Sequence, residues 1–274
     1  MRTMLLTLSL FADALPASAQ TPAVGAASQD EALIHPWIRP APRGAESYFT
    51  NLKDGGVYEA PFVARFGLAM RGLVPAGKSV GKAGHHHLLI NQTLPLDLKK
   101  PLPFSDKYIH FGKGQMEKLI DLPPGQYEFR LLLADKDHVL YFVFSQPLKF
   151  TISKQNKDLA PATVVGAPRV EILSPSNGET TRGAFRVQFH ASGYNVSHID
   201  AKAPETGHFR LTIEQAGRKP EIFKFAGGQT ETWLQPPDGA YSMQLDFVSN
   251  ADGKTVLTKS APTGIVVSSN IAAK

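Results

Sequence analysis

Two stretches of this chain match each other over long runs, so the fold one adopts must also suit the other. At a constant offset Asp54-Gly55 lies over Asn177-Gly178, Phe62 over Phe185, Phe66 over Phe189, and Gly84-His85 over Gly207-His208. Leu88 and Ile90 lie over Leu211 and Ile213 without a gap. After one change of length the match resumes, with Phe111 over Phe225, Gly114-Gln115 over Gly228-Gln229, Glu117 over Glu231, Gly125 over Gly239, Tyr127 over Tyr241 and Leu131 over Leu245. Shared positions report what the fold requires, and differing positions report what one copy does alone. Where copy one has His86, His87, His110 and His138, copy two has Phe209, Arg210, Lys224 and Asp252. A difference so concentrated points to a site in copy one.

Both copies consist of short alternating runs broken by Gly, Pro, Asn and Asp. Tyr127, Phe129, Leu131 and Leu133 alternate with Glu128, Arg130, Leu132 and Ala134, and Tyr241, Met243, Leu245 and Phe247 do the same in copy two. That period of two belongs to strands. In each copy a Pro-Pro turn leads into the Tyr that opens this strand, as at the corner of immunoglobulin-like sandwiches. Capped helical periods are missing. The expected fold is all-β, two tandem immunoglobulin-like β-sandwich domains over residues 47–153 and 169–267, joined by a linker over 154–168. A flexible leader over 20–46 and a tail over 268–274 flank them, and each sandwich is expected to fold by itself.

The first 19 residues read as a signal peptide. Arg2 precedes an apolar run over 4–12, and Ala17-Ser18-Ala19 forms a small-x-small cleavage site before Gln20. Neither this run nor any later one is long enough to span a bilayer, so a periplasmic or secreted product without a transmembrane segment is expected. Cysteine is absent, which excludes thiolate ligands and cysteine nucleophiles. The net charge of +5 is scattered, with no basic stripe of the kind nucleic acid requires.

Alternation also orients the histidine strand. Phe209, Leu211 and Ile213 face inward in copy two, while His208, Arg210 and Thr212 face out. By transfer His86, Leu88 and Ile90 face the core of copy one, and His85 and His87 face out. His110 faces out too, because Lys224 replaces it. Leu89 and Leu132 stand where copy two has Thr212 and Asp246, so this outer face is partly apolar and needs a cover. The cover expected is the connection from Asn91 to His110, longer than its counterpart and stiffened by Pro95, Pro101 and Pro103.

Histidines two apart on a strand can converge on one ion, and a nitrogen and oxygen donor set without sulfur suits zinc, copper or nickel. The candidate metal ligands are His85, His87 and His110, completed by His138 or Asp135 from the adjoining turn. Binding is expected to weaken below about pH 6, where ordinary imidazoles protonate. His86 reads as a hydrogen-bonded core or rim residue. Met70 and Met116 could add soft ligands but also suit packing. The alternative is that these histidines only fill polar positions beside a loop.

The run Gly84-His-His-His-Leu-Leu-Ile90, then His110-Phe-Gly-Lys-Gly-Gln115 and Leu122-Pro-Pro-Gly125, resembles the bacterial domain-of-unknown-function family 4399, a set of small exported domains. The opening Tyr48-Phe-Thr-Asn-Leu-Lys-Asp-Gly55 fits as well, and copy two looks like a diverged relative. The resemblance implies the domain and export, and no activity. Tyr108, Lys136 and Tyr141 stand where the pattern has His, and Asn91 where it has Asp.

Two other strings carry less. Gly72-Leu-Val-Pro-Ala-Gly-Lys-Ser79 satisfies the P-loop pattern, yet no helix pattern follows to meet a phosphate, so no nucleotide is expected. Ser79-Val-Gly-Lys82 has serine–lysine spacing but sits in a Gly-rich loop. Glu117 and Glu231, shared by both copies, read as structural partners of a turn backbone. The function expected is a non-enzymatic exported protein that binds copper or zinc for sequestration, delivery or sensing. The alternatives are a cell-envelope module that binds another protein and, more remotely, a metal-dependent enzyme.

Overall fold

In the computed structural model, residues 35–42, 44–95 and 97–269 are described, and all but a few of their ordered segments are strands. The signal segment, the first part of the leader and the end of the tail lie outside these residues. Copy one contributes β1 (Glu46–Phe49), β2 (Gly56–Ala60), β3 (Phe62–Ala69), β4 (His85–Ile90), β5 (Tyr108–His110), β6 (Glu117–Ile120), β7 (Gly125–Ala134), β8 (Leu140–Phe144) and β9 (Leu148–Gln155). Copy two contributes β10 (Arg169–Ser174), β11 (Glu179–Thr181), β12 (Phe185–Ser192), β13 (Gly207–Glu214), β14 (Glu221–Phe225), β15 (Glu231–Leu234), β16 (Gly239–Ser249), β17 (Val256–Lys259) and β18 (Thr263–Val267). Each copy pairs a three-stranded sheet with a six-stranded one. The orders are β1-β3-β6 facing β2-β9-β7-β4-β5, and β10-β12-β15 facing β11-β18-β16-β13-β14. Strands β8 and β17 attach to β7 and β16. The fold is all-β, two sandwiches in tandem. Among the described residues no helix is long and apolar enough to cross a membrane.

The shared positions have matching jobs. Asp54 Oδ1 accepts from the Lys149 amide at 2.8 Å, and Asn177 Oδ1 accepts from the Gly264 amide at 2.8 Å, each tying the entry to the parallel strand pair of its sandwich. The Tyr127 hydroxyl donates to the Pro123 carbonyl at 2.9 Å, and Tyr241 donates to Pro237 at 2.8 Å. Both copies thus close the corner that a Pro-Pro turn two or three residues ahead of the Tyr implies.

The copies do not sit apart. Leu68, Leu73, Met116, Leu133 and Val143 of the first belong to the same buried cluster as Val187, Phe189, Phe209 and Leu245 of the second. The seam is built twice, in related ways. Leu73 N donates to Gly228 O, and Val196 N donates to Gly114 O, both at 2.9 Å. A Cβ on Gly114 would lie 2.1 Å from the Val196 carbonyl oxygen, and one on Gly228 would lie 2.4 Å from that of Leu73. These glycines are shared because backbone from the other sandwich presses on each of them.

Between the copies, β9 runs on through Gln155, into the segment read as linker, and a short helix α1 (Pro161–Val165) follows with Pro at its first turn. Upstream, the leader is docked from His35 onward. Ile38 bridges Leu234, the Trp37 carbonyl accepts from Gln235 N, and the Trp37 ring packs on Phe223 and Tyr241. Trp37 and Ile38 find an apolar shelf on copy two, which outweighs the flexibility the Ala and Pro content of the leader implies.

Candidate metal centre

Strand β4 lies between β5 and β7, with His85 opposite Ala134, His87 opposite both Leu132 and His110, and Leu89 opposite Tyr108. The pleat sends His86, Leu88 and Ile90 toward the sandwich interior and His85 and His87 to the other face. That face is closed by the long connection. Leu102, with Leu94 and Leu98, packs on Leu89, Leu132 and Leu140. His85 and His87 therefore point away from the sandwich core and are still 0% exposed. His138 comes from the turn between β7 and β8 in a left-handed conformation, φ 64°, and its carbonyl accepts from the Leu102 amide at 2.9 Å.

The four histidines converge. His85 Nε2 lies 3.1 Å from His87 Nε2 and 3.1 Å from His138 Nδ1. One ligand atom from each of His85, His87, His110 and His138 falls within 4.8 Å of the others. Two nitrogens bound to one tetrahedral zinc at its usual bond length lie roughly 3.3 Å apart, so the two 3.1 Å separations need little adjustment, and the wider ones need the half-buried His110 and His138 to close in. Hydrogen bonding alone serves the group poorly. A neutral ring nitrogen carries either one N–H or one lone pair, and His85 Nε2 faces two partners. The Nδ1 atoms of His85 and His87 and the Nε2 of His110 are buried without a hydrogen-bond partner among the described residues. Packing, and not a carboxylate behind the rings, sets the orientation of His85 and His87.

Burial pushes His85 down to about 3, and the neighbouring His110, His138 and His86 push the same way. Burial, then His85, His110 and the remaining histidines, pushes His87 down to about 2. His110 is also lowered, by burial and then by His138. The rings of His85, His87 and His110 are neutral at physiological pH and need not shed protons before binding a cation. Phe104, from the long connection, closes the solvent side. Its ring stands edge-on to His138 and His110, with centroids 4.9 and 5.2 Å away, and is 59% exposed.

Asp135 does not join. Its Oδ1 accepts from the Asp137 and Val139 amides at 2.9 Å each, so the carboxylate builds the turn that presents His138. Met116 is buried in the shared core, and Met70 is exposed elsewhere. His86 is in the core against Phe66, centroids 5.8 Å apart, where burial lowers its pKa to about 4 and the Leu132 backbone pushes the other way. Sequence reasoning missed Phe104, whose only signal is its place in a Pro-rich connection.

Copy two fills the same face differently. Arg210, in the place of His87, bonds Asp246, in the place of Leu132, through Nε at 3.0 Å. His208, expected to face out, is buried, and its ring Nδ1 lies 2.7 Å from Asn250 Oδ1. An ion pair and a local hydrogen bond replace the imidazole cluster. Glu117 and Glu231 do not serve turn backbones as expected. Each bonds side chains of the opposite sandwich.

Among solved structures, the fibronectin(III)-like modules of CbhA from Clostridium thermocellum are similar at 11% identity, over 81% of this chain and 92% of that one, with a TM-score of 0.23. The chicken CNTN1 FN1-FN3 domains are 13% identical over 83% of this chain and 68% of theirs, TM-score 0.25. A two-domain fibronectin type III segment of chicken tenascin is 14% identical over 81% and 98%, TM-score 0.23. Scores this low carry no argument, and the architecture rests on the sheets described above. No curated protein matches this chain significantly. The family model described as Domain of unknown function (DUF4399) matches twice, at residues 64–153 and 187–267. Because those matches together cover more than half of its length, the chain belongs to the DUF4399 family and carries that domain in two copies.

Proposed function

We propose that this is an exported, non-enzymatic protein that binds one transition-metal ion, copper or zinc, through His85, His87, His110 and His138, and sequesters, delivers or senses it. One observation carries the reading: four imidazoles converge in the copy that kept its histidines, two of them fully buried. Imidazole nitrogen without sulfur or carboxylate suits zinc and Cu(II). Four protein ligands fill a tetrahedral sphere, and a catalytic zinc keeps a position open. Holding an ion fits this arrangement better than turning over a substrate.

The test is titration of Cu(II) and Zn(II) into mature protein without an affinity tag, and into His85→Ala/His87→Ala and His110→Ala/His138→Ala. The second pair is only partly buried, so it removes ligands at less risk to folding. Wild type should take up one equivalent. Both variants should bind more than about a hundredfold weaker, beyond the loss typical of changes behind the ligands. Equal binding by all three would remove the metal reading and favour the cell-envelope interaction module.

A further inference from the structure

A second site lies on the seam between the sandwiches. A cavity of about 430 Å³ opens there, lined by residues of the docked leader, of copy one just after β3 and before β4, and of copy two around β15. Three cationic side chains line it, Arg39, Arg71 and Lys82. No carboxylate compensates them among the described residues. Arg39 bonds the Gln235 side chain at 2.8 Å and the Pro36 carbonyl at 2.6 Å. Arg71 lies over the Tyr141 ring, 5.8 Å from its centroid. Lys82 is exposed and forms no ion pair among the described residues. The one acid on the wall, Glu231, is already engaged by the Tyr48 hydroxyl and lies 3.8 Å from Arg186, and burial raises its pKa.

The rest of the wall is largely apolar. Trp233 and Ile38 contribute to it, as does Met70, which is 59% exposed in a left-handed conformation at φ 56°. Holding an apolar side chain open in that conformation costs free energy, and such strain collects at binding sites. Gln229, also on the wall, leaves its Oε1 buried without a hydrogen-bond partner.

We propose that this cavity binds a small carboxylate with an apolar body. Uncompensated cations on a concave surface concentrate anions. Apolar walls with a few polar groups, at a boundary between domains, are the usual form of a small-molecule site. Arg71 and Lys82 take the carboxylate, Trp233 and Met70 cover the body, and Gln229 accepts a donor where the ligand has one. The site is separate from the histidine cluster, whose ligands do not line it.

Octanoate, octylammonium and acetate titrated calorimetrically into the full mature chain test this, with tryptophan fluorescence recorded in parallel. Octanoate should bind saturably, one per chain. Octylammonium lacks the negative charge and acetate the apolar body, so each should bind at least about tenfold weaker. Arg71→Gln/Lys82→Gln should weaken octanoate by about tenfold or more and leave Zn(II) binding unchanged. Lys82→Glu, at an exposed position, gives the same loss without touching the Arg71–Tyr141 contact. Absence of saturable octanoate binding, equal binding of octylammonium, or unchanged affinity in both variants overturns the proposal.

Discussion

Glu117 and Glu231 hold the same place in the two copies and reach across the seam in opposite directions. Glu117 accepts from His190 Nε2 at 3.0 Å and from the Ser192 hydroxyl at 2.6 Å, and Glu231 accepts from the Tyr48 hydroxyl. Burial opposes ionisation of Glu117, but its bonds from His190 and Ser192 outweigh that and hold it below the usual carboxylate range. Burial prevails at Glu231 and raises it. One conserved place in the repeat thus carries a charged link in one direction and a more weakly ionised one in the other.

Replacing Glu117 by Ala leaves His190, 0% exposed, without its partner. A buried donor without an acceptor costs about 1–3 kcal/mol. Guanidinium unfolding of Glu117→Ala should show that loss in a single transition, because the apolar core is shared. Two separate transitions in the wild type would contradict the shared core.

The histidine strand predicts how stability responds to acid. His85, His86 and His87 are depressed to about 3, 4 and 2, against an ordinary value of 6.5. The unfolded chain takes up protons first as pH falls, so the stability present above pH 6.5 is lost progressively toward about pH 2. Ordinary carboxylates titrate mainly below about pH 5, so the loss between about pH 6.5 and 5 reports buried imidazoles, those of β4 together with His190, His198 and His208, which burial also lowers. A metal-free unfolding midpoint that stays flat over that interval would count against burial of the cluster.

Two of the ligands should stay ready for the ion in mild acid. Burial holds His85 and His87 neutral well below pH 6, so neither gives up a proton to the ion at pH 5.5. Proton magnetic resonance of the metal-free protein should show both rings neutral at pH 5.5, and protonation of either near pH 6, as for exposed histidines, would show that they are open to water.

His86 invites the residue that copy two already uses. Its ring is buried beside Phe66, burial opposes its charged form, and Phe209 occupies the matching place. His86→Phe should raise stability by up to about 1 kcal/mol, by replacing a buried polar ring with an apolar one, and leave metal affinity unchanged. Weaker metal binding in this variant would place His86 among the ligands.

Phe104 shields the half-buried side of the cluster. Phe104→Ala should speed transfer of the bound ion to a chelator by about tenfold with little change in stability, because the side chain is largely exposed. Stopped-flow transfer of Zn(II) to a chromogenic chelator measures it, and an unchanged rate would remove the shielding role.

The sequence alone makes legible the repeat, the sandwich class, the tyrosine corners and the direction of each histidine on β4. All of these follow from local periods and turn residues, which the backbone enforces wherever the strand lies. It also marked the long connection as the cover, because Leu89 and Leu132 left an apolar outer face. Which groups meet depends on how the two sandwiches pack. Asp135 was within reach of the cluster in sequence, but the free amides of its own turn were nearer and took its carboxylate. Glu117 was legible as structural, yet its partners His190 and Ser192 lie on the other copy. How two sheets face each other is set by the summed burial of many side chains, which no local pattern records. The complete burial of His85 and His87, the docking of His35 to Arg39 on copy two and the cavity at the seam arise from that same packing.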